Sequence, residues 1–169
     1  DKLPFLMTHK ISEIAETPND KYVTICGLVT AVKQIPTKKD PTKFIRFSTI
    51  EDLTGKIDTI CFNGKIAEFG DMLQSEQRVI VSGRVNRRSD EEAPSIIVEN
   101  VKTVDNSNIF TIELKDEFKY EELVLLKEML CSSKGSDPVM IKLDDPVGAV
   151  KILCSSIFWV NSTNDLVNK

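Results

Sequence analysis

The chemistry available in this sequence lies in two groups of cations and one aromatic ring. From Lys33 to Arg46 the stretch "KQIPTKKDPTKFIR" holds five cations, Lys33, Lys38, Lys39, Lys43 and Arg46, against one acid, Asp40. Arg84, Arg87 and Arg88 form a second group, followed by Asp90, Glu91 and Glu92. Cations in such runs offset the mutual repulsion of phosphates and release their condensed counterions. Phe47 comes directly after Arg46, and a ring stacked on a base contributes about 1–3 kcal/mol. Phe44 or Ile45 would widen that platform. A charge run in a loop is equally the mark of a solvated face, and the three acids can neutralise Arg87 and Arg88. Phe47 also fits a core. Alternation puts Ile45, Phe47 and Thr49 on one face and Phe44, Arg46, Ser48 and Ile50 on the other, and neither face is cleanly apolar.

Catalytic chemistry has little to stand on. His9 is the only histidine. There is no Ser/His/Asp set, phosphate-cradling glycine loop or metal-ligand spacing. Asp144-Asp145, followed by Pro-Val-Gly, reads as a turn. Cys26, Cys61, Cys131 and Cys154 are too far apart in sequence for a metal knuckle or redox pair. Cys26 and Cys61 sit in apolar strand-like runs, as buried thiols do in a reducing, intracellular setting.

These residues need a scaffold, and the composition allows one. The chain has 169 residues, 41% hydrophobic and 28% charged, with a net charge of −4, as in soluble globular proteins. Residues 1–104 balance 15 cations with 15 acids, and the remainder is acidic, so any basic character is local to the first part. No apolar run reaches transmembrane length and no signal peptide opens the chain. The start at Asp1 without Met, and the end in a pattern that still reads as helix, point to an excised piece of a longer chain.

Thr8 is placed to cap a short helical turn before the Pro18-Asn19-Asp20 turn. "YVTICGLVTAVKQI" then alternates at period two, with Val23, Ile25, Gly27, Val29 and Ala31 on one face. "FIRFSTIED" and "KIDTICF" are the second and third strands. They are joined by Asp52-Leu53-Thr54-Gly55. Residues 63–75 change period: Ile66, Phe69, Met72 and Leu73 suit one helical face, shortened by Gly70. "QRVIVSGRVNRR" and "SIIVENVKTV" are the fourth and fifth strands. "DNSN" at 105–108 reads as a linker. The tail reads as βαββα: a strand in "IFTIEL", a helix lined by Leu123, Leu126, Met129 and Leu130 and ended by Gly135, strands in "DPVMIKL" and "AVKILCS", and a last helix capped by Ser162 or Thr163.

The fold class is therefore mainly β with an α+β tail. Five strands with a helix between the third and fourth match the OB-fold, a five-stranded Greek-key barrel, in preference to a simple meander. Gly27 and Gly83, inside strands one and four, suit strands that coil sharply to close a small barrel. The organisation is a connector at 1–20, an OB-fold nucleic-acid-binding domain at 21–104 and a small α+β domain at 105–169. OB-folds bind oligonucleotides on strands two and three and on the loops joining strands 1–2 and 4–5. Both cation groups fall at those places.

"VTICGLVTAVKQIPTKKDPTKFIRFSTIEDLTGKIDTICF", residues 23–62, resembles the OB domain near the C-terminal end of the bacterial DNA polymerase III alpha subunit family. The shared features are "GLV" at Gly27–Val29, "TKK" at Thr37–Lys39, Phe47 followed by "EDLTG", "CF" at Cys61-Phe62, "VIVSGRV" at Val79–Val85 and "IIVENV" at Ile96–Val101. The tail matches more loosely, through Leu126-Lys127, Leu130, Gly135 and Pro138-Val139. Asp40 stands where the family often has glycine, and Arg46 where a small residue often precedes the aromatic. The resemblance implies a replicative DNA-directed DNA polymerase, a transferase using a divalent metal such as Mg, as the parent. Its catalytic acids would lie upstream, leaving this piece non-catalytic and without a cofactor of its own. It implies single-stranded template DNA as the ligand and the clamp-loader tau subunit as a partner of the tail, in the bacterial cytoplasm at the replication fork, with no membrane association. Two other readings compete. One is the anticodon-binding OB domain of a class II aminoacyl-tRNA synthetase, in which Glu51 would replace an arginine. The other is a protein-docking OB module.

Overall fold

Alternating branched apolar residues draw the chain into strands from residue 22 onward. The computed structural model describes residues 5–89, 92–105, 109–114, 118–143 and 150–161. The chain divides into two units, Asp1–Asn106 and Ser107–Lys169. The opening Asp1–Pro4, the acids Asp90 and Glu91, residues 106–108 of the expected linker, the turn expected at Asp144–Gly148 and the last helix expected at 162–169 lie outside the described residues.

The first unit is a closed barrel of β1 (Tyr22–Pro36), β2 (Phe44–Asp52), β3 (Gly55–Phe62), β4 (Arg78–Asn86) and β5 (Ser95–Thr103). The strand order is β1-β2-β3-β5-β4, and β3 pairs with β5 in parallel while the other pairs are antiparallel. Closure leaves no edge strand to be covered. Val23, Ile25 and Val29 of β1 point inward and are fully buried. They meet Ile50, Ile57, Cys61, Val81, Val85, Ile96 and Val101 in one core. Burying each Val or Ile side chain contributes about 1.5–3 kcal/mol.

The inward alternation of β1 stops at a bulge between Val29 and Ala31. A bulge inserts one residue and reverses the faces that follow. Ala31, expected on the inner face, is exposed, and Val32 packs on the core in its place. Gly83 lies at a second bulge, in the β4–β5 pairing. A Cβ there would overlap the Ile97 carbonyl. At Gly27 a Cβ would stand 2.5 Å from the Glu51 carbonyl oxygen. Both glycines mark close backbone approaches where the strands coil.

The helix α1 (Asn63–Phe69) joins β3 to β4. It ends four residues before the apolar spacing does, with Gly70 as its cap, whose N–H donates to the Ile66 carbonyl. Phe69 and Leu73 are nonetheless buried in the barrel core, with Ile66 and Met72 against it. A 3-10 helix at Ile11–Glu16 adds Ile11 and Ile14 to that core. Thr8 does not cap it. The Thr8 hydroxyl instead takes the Thr24 N–H at 2.8 Å, while the Glu13 carboxylate takes the Lys10 N–H at the helix start.

The second unit holds β6 (Phe110–Leu114), α2 (Tyr120–Ser132), β7 (Lys134–Asp137), β8 (Val139–Leu143) and β9 (Val150–Leu153). Its sheet order is β6-β8-β9, with β6 parallel to β8 across α2 and β9 antiparallel to β8. Leu130, Val139 and Val160 are its buried centre, with Leu126, Phe110 and Ile112 against them. The strand read as "DPVMIKL" is interrupted at Pro138, which has no N–H to give a ladder. Gly135 lies in β7 and does not end the helix: Ser133 does, and the Gly135 N–H donates to the Trp159 carbonyl at 3.0 Å.

Candidate nucleic-acid interface

Strand parity decides what the barrel shows to solvent. On β2, Ser48 and Ile50 are buried, and on β3, Ile57, Thr59 and Cys61 are buried. Side chains alternate, so Ile45, Phe47 and Thr49 of β2 share the outer face with Asp58, Ile60 and Phe62 of β3, where Ile60 is itself covered, at 8% exposure. On β1 the bulge turns Ala31, Lys33 and Ile35 to the same face. Pairing aligns them in three rows: Ile35–Ile45–Phe62, Lys33–Phe47–Ile60 and Ala31–Thr49–Asp58. Seven residues of β1, β2 and β3, among them Lys33, Ile35, Phe47, Thr49 and Asp58, line an open concavity of about 460 Å³.

Phe47 is therefore a surface ring, half-buried by its neighbours. Phe62 is 47% exposed and is its diagonal neighbour, at the roughly 7–8 Å such pairs keep. Ile35 and Ile60 carry no charge or motif to single them out, and Phe62 stands out only as part of the shared "CF" pair. Period two in "KIDTICF", once Cys61 is known to be inward, is the signal that points Phe62 outward.

Lys38, Lys39 and Lys43 lie in the loop between β1 and β2, beside this face, and are exposed. The loop is ordered by its own polar groups. The Thr37 N–H donates to the Lys43 carbonyl at 2.8 Å and the Thr37 hydroxyl to the Asp40 carbonyl at 2.8 Å. The Asp40 carboxylate accepts the Thr42 hydroxyl and N–H, at 2.6 and 3.0 Å. Those two bonds, the hydroxyl first, hold its carboxyl below the usual range. Lys43 reaches Asp40 at 3.5 Å, an exposed pair of little energetic weight.

The arginines are placed differently. Arg46 points to the other side of β2 from Phe47. Its guanidinium bonds the Gly70 carbonyl, the Leu73 carbonyl at 3.3 Å and the Gln34 side chain at 3.0 Å. It thus satisfies carbonyls just past the end of α1, as a cation at a helix C-terminus should. Arg87 does the same for the 3-10 helix, donating to the carbonyls of Ala15 at 2.6 Å and of Ile14 and Thr17 at 3.3 Å. Arg84 is exposed and bound to Glu99 at 2.9 Å and to the Asp20 carbonyl at 3.2 Å. Arg88 is exposed. The structure therefore sets Lys33 beside Phe47 in the concavity, leaves the three loop lysines exposed in the β1–β2 loop, and commits Arg46 and Arg87 to the scaffold.

The acids of "EDLTG" are structural too. Burial by itself would raise the Asp52 carboxyl. The Ile11 N–H, the Thr54 hydroxyl and N–H and the Gly55 N–H outweigh it and hold the group below its ordinary value. Asp52 builds the β2–β3 turn and fastens the 3-10 helix to it. His9 is bonded to the Thr8 hydroxyl at 2.7 Å and is pushed down by desolvation. Desolvation pushes the Cys26 thiol up to about 11. All four cysteines are free thiols. No cluster of three metal-ligating side chains occurs among the described residues, and no helix among them is long and apolar enough to cross a membrane.

Residues 23–104 match the tRNA anti-codon family model, described as an OB-fold nucleic acid binding domain. The chain is 28% identical to a DNA polymerase III subunit alpha from Saccharopolyspora erythraea, over 85% of this chain and 13% of that one. It is 26% identical to the subunit of the same name from Vibrio cholerae, over 46% of this chain and 6% of that one. The chain thus spans a small fraction of the length of these relatives. Among solved structures, the second OB-fold domain of replication protein A from Methanococcus maripaludis aligns with 59% of this chain and 99% of its own, at 22% identity and a TM-score of 0.43.

Proposed function

Because residues 23–104 form an OB-fold nucleic acid binding domain and the chain is homologous to DNA polymerase III alpha subunits, we propose that it is a non-catalytic part of a bacterial replicative DNA polymerase that holds single-stranded template DNA. The observation that carries this reading is the outer face of β1, β2 and β3. There Phe47 and Phe62 offer rings for bases, and Lys33 with Lys38, Lys39 and Lys43 offers charge for phosphates. Stacking is tolerant of sequence and cations follow the backbone, which is what a moving template requires. The parent would supply polymerising acids and Mg from other segments and would work in the cytoplasm.

The unit at Ser107–Lys169 is proposed to dock a replisome protein, with the clamp-loader tau subunit the partner that the resemblance suggests. Exposed Leu125, Ile152 and Ile157 support a docking role. The tRNA anti-codon label of the matched family favours a second reading, in which the same face holds an RNA loop.

Fluorescence anisotropy with labelled single-stranded DNA, double-stranded DNA and tRNA across salt separates these readings. Tighter binding of single-stranded DNA, weakening with salt, is expected. A preference for tRNA turns the assignment to the synthetase type, and no binding to any of the three at low salt leaves a protein-docking module.

A further inference from the structure

We infer that Asp58 makes the strand-binding face selective for bases that present an amino group on their edge, so that cytosine is preferred over thymine. This rests on the single-strand reading above. A carboxylate is out of place on a surface for phosphates, which it repels. Yet Asp58 stands exposed in the wall of the concavity with Lys33 and Phe47. Asp58 forms no ion pair among the described residues, and Lys56, two residues before it, is paired with Glu51 at 3.0 Å. The Thr49 hydroxyl donates to Asp58 Oδ1 at 2.8 Å, which orients the carboxylate and leaves Oδ2 without a partner among the described residues.

The three strands arrange the chemistry in the order a nucleotide needs. Lys33 is on β1, Phe47 directly opposite it on β2, and Asp58 on β3, diagonal to Phe47. Cation, ring and carboxylate thus lie across two strand spacings, about 10 Å. A strand whose phosphates follow Lys33 and the loop lysines and whose base covers Phe47 directs its base edge toward β3. An ionised carboxylate only accepts hydrogen bonds. It accepts from the N4 amino group of cytosine. At thymine it meets O4 and O2, two acceptors, on either side of a single N–H.

The test is competition anisotropy at pH 8 with oligo-dC and oligo-dT of equal length, on the wild-type chain and on Asp58→Asn. The wild type is expected to favour oligo-dC by about fivefold or more. Asp58→Asn, whose amide both donates and accepts, is expected to tighten oligo-dT and bring the ratio near one, with an unchanged thermal transition. Equal wild-type affinities overturn this inference and leave the single-strand reading standing. So does a variant that tightens both oligomers alike, since Asp58 then only repels. Absence of binding to either oligomer overturns both.

Discussion

Lys33 and Phe47 stand directly opposite each other on β1 and β2, both on the outer face of the barrel. The bulge after Val29 creates this relationship. Without it, the alternation that buries Val23, Ile25 and Val29 would bury Lys33 as well. One inserted residue therefore sets a cation beside the ring that a base would cover.

Phe47→Ala should weaken single-stranded DNA binding by roughly 5- to 150-fold, the equivalent of one lost stacking contact, with the thermal transition kept. Phe62→Ala should do the same, to a similar degree. Anisotropy beside a thermal melt of each variant checks both. Collapse of the melt would place the ring in the core instead.

Replacing Lys38 and Lys39 together by alanine should reduce the steepness of the salt dependence. Each phosphate contact on a single strand contributes about 0.7 to the slope of log K against log salt. The slope should fall by roughly 1.4 if both lysines meet phosphates, and stay unchanged if they are merely solvated.

Arg46→Ala should cost stability and leave affinity per folded molecule nearly intact. Its guanidinium serves the Gly70 and Leu73 carbonyls, and hydrogen bonds to a charged group contribute about 1.5–3 kcal/mol. Urea unfolding should show the loss in the midpoint. An unchanged midpoint with lost affinity would make Arg46 a DNA contact.

Gly83→Ala should destabilise the barrel by at least about 1–3 kcal/mol, the range for overpacking. The added Cβ meets the backbone carbonyl of Ile97, which cannot rotate aside as a side chain can. For a unit of this size each kcal/mol lowers Tm by roughly 4–8 °C. Calorimetry of the variant decides.

The first unit should lose stability in acid partly through Asp52. Its folded-state pKa is depressed, so its contribution is full above the unfolded value of about 3.9 and disappears as pH falls through the folded value. Asp52→Asn should lower stability at pH 7 and flatten the acid limb of a stability-against-pH curve. An acid limb identical to wild type would remove Asp52 from the account.

The strands, the short helix and the barrel were legible because each has a local signature. Period two in "YVTICGLV", the change of period at Ile66 and Phe69, and glycines at 27 and 83 are properties of neighbouring residues. In the second unit the α2 face of Leu123, Leu126, Met129 and Leu130 was equally legible, while β7 was not. Its backbone bridges Val160, more than twenty residues away, and no local pattern records such a partner.

The candidate site divides along the same line. Sequence alone determined the residue types: an OB-fold barrel, a lysine-rich loop between strands one and two, and an aromatic ring after Arg46. Tertiary structure decided which of them stand on the outer face of the barrel. It turned Phe47 outward, drew Arg46 and Arg87 onto helix-end carbonyls, and brought Phe62 and Asp58 into the face. The physical reason is that burial and carbonyl satisfaction are settled between segments far apart in the chain. A charge reads the same in sequence whether a phosphate or a helix end takes it.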